Sequence, residues 1–242
     1  MAQPGRPSQP DRLSALVSIR IRVWDLPLRL FHWSLLILVA TSLATGWAGG
    51  WWMTWHLRSG YAVVALLVFR WIWGLLGGHH ARFAHFLVGP RRMVAYLRGR
   101  APEAGLGHNP AGGWSVLAML VALSLQVGSG LFANDQIFTQ GPLAWLVPDR
   151  VSEALTRYHT DIGLPLLYLL ICLHLAAVLY HVALKREDLL RPMLHGDKQL
   201  PDDAASQNLP RSRDDWRLRL LAAALLAGAA AFALWLRSLG GG

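Results

Sequence analysis

The stretch that decides the fold is 158–188, which reads YHTDIGLPLLYLLICLHLAAVLYHVALKRED. It contains about one membrane thickness of apolar residues, since roughly 20 such residues in a helix cross the hydrocarbon core. Three histidines interrupt it, namely His159, His174 and His181. Ionisable groups inside a membrane span are costly, so their presence indicates a function.

His159 and His174 have a spacing that places them on nearly one face of a helix. At about 100° and 1.5 Å per residue, they lie about 22 Å apart along the axis. One histidine near each membrane surface, both facing a bundle interior, is what two stacked haems require of one helix. The rest of the chain is then expected to supply the opposite ligands.

The composition favours an integral membrane protein. Of 242 residues, 54% are hydrophobic and 15% charged, against about 25% charged residues in soluble domains. The net charge of +9 would suit nucleic acid, but no basic and aromatic patch accompanies it, so no nucleic-acid partner is expected. Cys172 is the only cysteine, which excludes internal disulfides, cysteine-ligated iron–sulfur clusters and CxxCH haem attachment.

The apolar segments predict an all-α integral membrane protein: a four-helix haem-binding bundle over residues 23–188 and a fifth transmembrane helix at 218–237. The four spans of the bundle are expected at about 28–47, 57–77, 113–132 and 159–184. Residues 1–22 are expected to form a loose cytoplasmic tail, and 189–217 a solvent-exposed cytoplasmic linker. The charged segment 78–105 is interpreted as an interfacial amphipathic helix.

The distribution of Lys and Arg predicts the orientation. The N-terminal tail has four of these residues, the 78–112 loop five and the 185–217 linker seven, which gives sixteen on one side against four on the other. Cytoplasmic loops carry the excess of positive charge. We therefore expect the N-terminus in the cytoplasm and the C-terminus on the outer side of the membrane.

Four of the ten histidines match in depth across three spans. His56 begins the second span on the outer side, where His159 begins the fourth. His32 lies early in the first span, at the depth of His174. Each pair is predicted to ligate one haem iron through two imidazoles, as in low-spin electron carriers.

Neighbouring residues agree with this prediction. Gly60 and Gly163 each follow an outer histidine by four residues, on the same helix face, and are expected to leave room for a porphyrin. Arg29 and Arg70 are expected to meet haem propionates, a pairing that makes a membrane-level arginine tolerable. His181 remains an alternative to His174 as the inner ligand.

The remaining histidines are expected to be solvated or lipid-facing. They are the five in loops: His79, His80, His85, His108 and His195. Any single histidine in a membrane span can also be a structural residue whose ring is hydrogen-bonded and binds no metal. Gly46, Gly128 and Gly130 would then only allow close helix packing.

Four segments together resemble the bacterial cytochrome b561 family, in its branch similar to nickel-iron hydrogenase b-type subunits. They read VWDLPLRLFHW, WHLRSGYAVVALLVFRWIWGLLGGHHARFAHFLVGP, GHNPAGGW and LHLAAVLYHVALKREDLLRPMLHGDK, within about residues 20–198. The resemblance implies a four-helix bundle with two haems b, held by histidines of helices one, two and four. That ligand set corresponds here to His32, His56, His159 and His174.

Two features depart from the family pattern. The spacing from His159 to His174 is one residue longer, and Pro165 between them is expected to kink the helix and absorb the difference. The fifth span and its linker lie outside the four-helix core.

The resemblance implies a multi-pass protein of the bacterial inner membrane, with its C-terminus in the periplasm. It also implies electron transfer between membrane quinone or quinol and a periplasmic partner, either a cytochrome c or a redox enzyme. If the quinone site is cytoplasmic, Arg70, His79, His80 and the segment 78–100 are candidates for it. The outer loop 133–158 is a candidate docking surface for a redox partner. The alternatives are a stand-alone quinone-linked oxidoreductase acting on a small acceptor such as superoxide, and a haemless membrane anchor or assembly subunit.

Overall fold

The computed structural model describes residues 18–100, 106–137, 139–201 and 208–240. Within these ranges the chain forms a mostly helical bundle. Its helices are α1 (Leu26–Ala48), α2 (Met53–Leu76), α3 (Pro90–Leu97), α4 (Pro110–Leu131), α5 (Asp149–Leu184), α6 (Leu190–His195) and α7 (Trp216–Ser238). Shorter turns lie at Gly50–Trp52, His79–Ala81, Phe83–Phe86 and Ala144–Leu146, and two strands are β1 (Ser18–Arg22) and β2 (Asp197–Pro201).

Five helices in the described part of the chain are long and apolar enough to cross a membrane. They are α1, α2 with the turn before it, α4, α5 and α7. The predicted class, an all-α integral membrane protein, is confirmed. α5 begins ten residues before the predicted fourth span, because the polar residues from Asp149 to Tyr158 continue the same helix.

Three spans begin at a side-chain cap. The carboxylate of Asp25 accepts a hydrogen bond from Leu28 N at 2.8 Å, and Asp215 accepts one from Leu218 N at 2.9 Å. Asn109 Oδ1 accepts one from Gly112 N at 2.7 Å. In α1 and α4 a proline follows the cap, where its missing N–H and fixed φ suit the first turn.

α2 is the central helix of the bundle. Most of its residues between Val63 and Gly74 are buried, and both α1 and α7 pack along it. α4 contacts α2 on one side and α5 on another. The fifth helix is therefore an integral part of the bundle, attached through α2.

The predicted loose tail and exposed linker need correction where the structure describes them. β1 pairs antiparallel with β2, from Ser18 opposite Pro201 to Arg22 opposite Asp197. Ile21 and Val23 are buried beside Leu106, because apolar and basic residues alternate along β1 and place the apolar side chains on one face. The remaining parts of these two predictions, 1–17 and 202–207, lie outside the described residues.

The predicted interfacial helix at 78–105 is also replaced by a more broken structure. Short turns at His79–Ala81 and Phe83–Phe86 precede α3. Gly89 and Pro90 account for the break, because proline disfavours helical geometry in the residue before it. Residues 101–105 lie outside the described part of the chain.

Candidate functional site

The structure brings His56 of α2 and His159 of α5 together at the predicted outer end of the bundle. Their ring centroids lie 6.1 Å apart and the ring planes are nearly perpendicular, at 89°. The depth matching made from the sequence thus corresponds to a real proximity between two helices that are distant in the chain. The two rings form what we call the outer pair.

Each ring of the outer pair is oriented by a backbone carbonyl of a neighbouring helix. His56 Nδ1 lies 2.9 Å from the carbonyl oxygen of Ser42, and His159 Nδ1 lies 2.8 Å from that of Gln126. A carbonyl oxygen only accepts, so each Nδ1 carries the proton and donates it. Each Nε2 is then unprotonated and available as a metal ligand, an arrangement usual for metal-bound histidine.

A glycine four residues after each acceptor carbonyl makes room for the ring. A Cβ on Gly46 would lie 2.9 Å from His56 Nδ1, and one on Gly130 would lie 2.9 Å from His159 Cε1. In a helix the side chain four residues later covers the same face as the first residue. Glycine at these two positions therefore exposes the carbonyls of Ser42 and Gln126 to an imidazole.

The donor set of the outer pair fits a single metal between two imidazoles. With metal–nitrogen bonds of about 2 Å, two imidazoles bound through Nε2 have ring centres roughly 6 Å apart, which matches the observed separation. A Cβ on Gly60, one turn after His56, would meet no atom within 4 Å. The geometry therefore fits bis-histidine ligation of haem iron, with space beside α2.

Gly163 does not face open space as expected. A Cβ there would lie 2.0 Å from Gln126 Oε1 and 3.1 Å from the ring of Tyr158. Gln126 also donates from Nε2 to the carbonyl oxygen of His159 at 2.9 Å. Gly163 thus admits the Gln126 side chain, which bridges α4 and α5 next to the outer pair.

His32 and His174 occupy the opposite end of the bundle. His32 Nδ1 is buried and has no hydrogen-bond partner among the described residues. His181 has a different partner, since its Nδ1 lies 2.9 Å from Glu187 Oε2. Because this contact engages Nδ1 of His181, His174 is the better candidate for the inner position. We call His32 and His174 the inner pair.

The two predicted propionate partners have different environments. Arg70 is 2% exposed, and its guanidinium lies 4.8 Å from the centre of the Phe83 ring. Its Nη1 has no hydrogen-bond partner among the described residues, so it retains a donor for an acidic group. Arg29 donates through Nη1 to the carbonyl oxygen of Leu194 in α6, and its buried Nε has no partner in the described chain.

His108 is buried, which corrects the expectation from the sequence. It was expected to be a solvated or lipid-facing loop histidine, but its ring packs between Trp24, at 4.8 Å, and Phe86, at 4.7 Å. Burial lowers the pKa of His108 to about 3, and the positive charges of Arg70 and of nearby histidines, including both members of the inner pair, act in the same direction. His80 is likewise buried rather than solvated.

A π-helical turn at Tyr158–Gly163 carries His159. Such a turn holds one more residue than an α-helical turn and is frequent at functional sites. Pro165 lies two residues after the end of this turn and lacks the N–H for an α-helical bond to the residue four positions earlier. The widened turn is thus where the extra residue between His159 and His174 would be accommodated.

Comparisons with known proteins identify the family of this chain. A family model described as prokaryotic cytochrome b561 matches residues 23–196. A probable Ni/Fe-hydrogenase B-type cytochrome subunit of Bradyrhizobium diazoefficiens is 21% identical over 218 residues, which cover 75% of this chain and 87% of the relative. Proteins of the same description in Azotobacter vinelandii and Azotobacter chroococcum mcd 1 are 24% and 25% identical and cover 76% of this chain and 90% of each relative.

No solved structure matches the chain. The family match spans the four-helix core and contains all four predicted histidine ligands. The chain therefore belongs to the prokaryotic cytochrome b561 family, and so to the multi-pass membrane proteins that transfer electrons by means of haem b.

Proposed function

We propose that the protein relays electrons across the bacterial inner membrane between the quinone pool and a periplasmic redox partner, with two haems b. The outer haem is held by His56 and His159, and the inner haem by His32 and His174. The observation that carries the proposal is the outer pair, whose ring separation, free Nε2 atoms and adjacent open space suit bis-histidine ligation.

The chain contributes orientation, burial and charge pairing. Haem supplies reversible one-electron chemistry when bound. The Ser42 and Gln126 carbonyls fix the ring planes of the outer pair and make both Nε2 atoms acceptors. Hydrogen bonds to metal-bound histidine also raise its basicity, so both carbonyls favour the oxidised metal.

The inner end of the bundle contributes cations. Arg70 is held in the bundle among the rings of Phe31 and Phe83. A buried guanidinium with an unpaired donor favours a carboxylate partner, so we assign Arg70 to a propionate of the inner haem. Arg29, one turn before His32, is proposed for the same role through its unpaired Nε.

The test is haem content and the spectrum of single-histidine variants. Purified protein should contain two haems b with sharp low-spin α bands. His56→Ala or His159→Ala should remove one haem, and His32→Ala or His174→Ala the other, so that the remaining spectra differ between the two sets. His181→Ala is the matched control in the same helix and should keep both.

Two results would contradict the proposal. Retention of both haems in His56→Ala or His159→Ala would show that the outer pair does not ligate a haem. Absence of haem from the wild-type protein, made with ample haem supply, would leave a membrane anchor with structural histidines.

A further inference from the structure

The Gln126 carbonyl that orients His159 also accepts a hydrogen bond from a hydroxyl group. Ser129 Oγ donates to it at 2.8 Å, and His159 Nδ1 donates to the same oxygen at 2.8 Å. In an α-helix this oxygen accepts, in addition, from the backbone N–H four residues later. A carbonyl oxygen has only two lone pairs. The imidazole and the hydroxyl therefore compete for one acceptor.

The three groups of this contact are held in fixed positions. Ser129 and Gln126 are buried, and Ser129 Oγ lies 3.4 Å from His159 Nδ1, farther than the carbonyl. Gln126 Nε2 donates to the carbonyl oxygen of His159 at 2.9 Å, so Gln126 and His159 are bonded twice, in opposite directions. Because this clamp sets the distance from ring to carbonyl, the strength of the Nδ1 bond depends on how much electron density the carbonyl oxygen retains.

The acceptor of the other outer imidazole is engaged less by a hydroxyl. Thr45 has the position in α1 that Ser129 has in α4, three residues after the acceptor carbonyl and one before the glycine. Its Oγ1 lies 2.6 Å from the carbonyl oxygen of Thr41 and 3.3 Å from that of Ser42. A hydroxyl has one proton to donate, and here it goes mainly to Thr41. The Ser42 carbonyl is therefore the better acceptor of the two.

We propose that Ser129 is a positioning residue that acts through the Gln126 carbonyl: it weakens the hydrogen bond of His159 Nδ1 and thereby raises the midpoint potential of the outer haem. The proposal rests on the proposed function, because it takes His159 as a ligand of that haem. Ser129 acts on the acceptor of the imidazole and needs no contact with the haem.

The direction of the effect follows from the basicity of the ligand. A hydrogen bond donated by a metal-bound imidazole makes the imidazole more basic, and a more basic ligand stabilises the oxidised metal. A hydroxyl that withdraws density from the acceptor carbonyl reduces this stabilisation. Ser129 therefore shifts the distribution of electrons between the two haems towards the outer one.

The first test is a redox titration of the purified full-length protein, followed in the α band. Ser129→Ala should shift the midpoint potential of the outer haem to a lower value and leave that of the inner haem unchanged. Thr45→Val should shift the outer haem in the same direction by less, because its hydroxyl is farther from the Ser42 carbonyl. Thr41→Val is the matched control, since the Thr41 hydroxyl donates to the Ile37 carbonyl at 2.9 Å, and it should change neither potential.

The second test measures the hydrogen bond itself. In protein labelled with ¹⁵N-histidine, the Nδ1 proton of His159 is identified by its loss in His159→Ala. Ser129→Ala should move this proton resonance to lower field in the reduced protein, as expected for a stronger bond, and Thr41→Val should leave it in place. The same measurement applies to protein without haem.

The two tests separate this proposal from the proposed function. An unchanged or higher outer potential in Ser129→Ala, or an equal shift in Thr41→Val, would overturn the role of Ser129 and leave the electron relay intact. Loss of the outer haem from Ser129→Ala would also overturn it, because the Gln126 carbonyl alone is expected to hold the ring. Retention of both haems in His159→Ala would overturn the ligand assignment and the effect on the potential, while a shift of the Nδ1 proton would still support the effect of Ser129 on the bond.

Discussion

At the scale of single residues, the outer site depends on a carbonyl and a glycine four positions apart. The pattern occurs twice, as Ser42 with Gly46 in α1 and as Gln126 with Gly130 in α4. In both cases an imidazole of another helix lies against the glycine and donates to the carbonyl. The pair α1 and α2 and the pair α4 and α5 therefore hold a histidine by the same arrangement of a carbonyl and a glycine.

Adding one methyl group at this device should release the outer haem. In Gly130→Ala the new Cβ would lie 2.9 Å from the His159 ring, so the ring must shift and its bond to the Gln126 carbonyl weakens. We expect loss of one of the two haems, measured as haem per chain. Gly128→Ala is the control, because a Cβ there meets no atom within 4 Å. Equal haem content in the two variants would show that the contact between Gly130 and the His159 ring is not needed for haem binding.

The depth of the histidines in the membrane could be predicted from the sequence, but the glycine and carbonyl groups that contact their rings could not. The depth of a residue within a span follows from its position in the sequence, so the proximity of His56 and His159 could be predicted. The contact with Gly46 or Gly130 depends on how two helices rotate against each other, which residue spacing within one helix does not define. His108 was missed for a similar reason: it lies just before a predicted span, and only tertiary packing buries it against Trp24.

At the scale of elements, the π-helical turn at Tyr158–Gly163 affects the relative orientation of His159 and His174. One extra residue in a regular helix would rotate His159 about 100° relative to His174. The widened turn before Pro165 absorbs that rotation. The sequence analysis expected the adjustment at Pro165, and the structure has a π-helical turn that ends two residues before it.

A deletion within the π-helical turn should therefore be tolerated better than one outside it. Deleting Ile162 together with Pro165→Ala converts the turn to regular helix and preserves the relative orientation of the two histidines, so both haems should remain. Deleting Leu170 from the α-helical part of α5 rotates one histidine away and should cost a haem. Haem content and the α-band spectrum measure both. A loss of haem in the first variant equal to that in the second would contradict the role assigned to the turn.

At the scale of the whole molecule, the inner end is closed by segments that are far apart in sequence. Arg22 of β1 forms ion pairs with Asp197, at 2.7 Å, and with Asp214, at 3.1 Å. β1 pairs with β2, so the start of the bundle and the chain after α5 lie on one side. That arrangement agrees with four spans between them. The alternation along β1 was visible in the sequence, but its partner strand lay almost 180 residues away.

The orientation in the membrane is predicted by charge and can be tested with reporter fusions. Alkaline phosphatase fused after Ser238 should be active, because that end is expected in the periplasm. The same enzyme fused after Arg98, in the positively charged inner loop, should be inactive. A fluorescent-protein fusion should give the opposite pattern. Activity after Arg98 and none after Ser238 would reverse the topology and with it the labels inner and outer.

The perpendicular arrangement of the two outer rings has a magnetic consequence. The planes of axial imidazoles set how far the iron d orbitals split. Rings at 89° leave two of these orbitals close in energy, whereas parallel rings separate them. If His56 and His159 hold a haem as proposed, its oxidised form should give a strongly anisotropic low-spin signal in electron paramagnetic resonance, and turning either imidazole should change the shape of that signal.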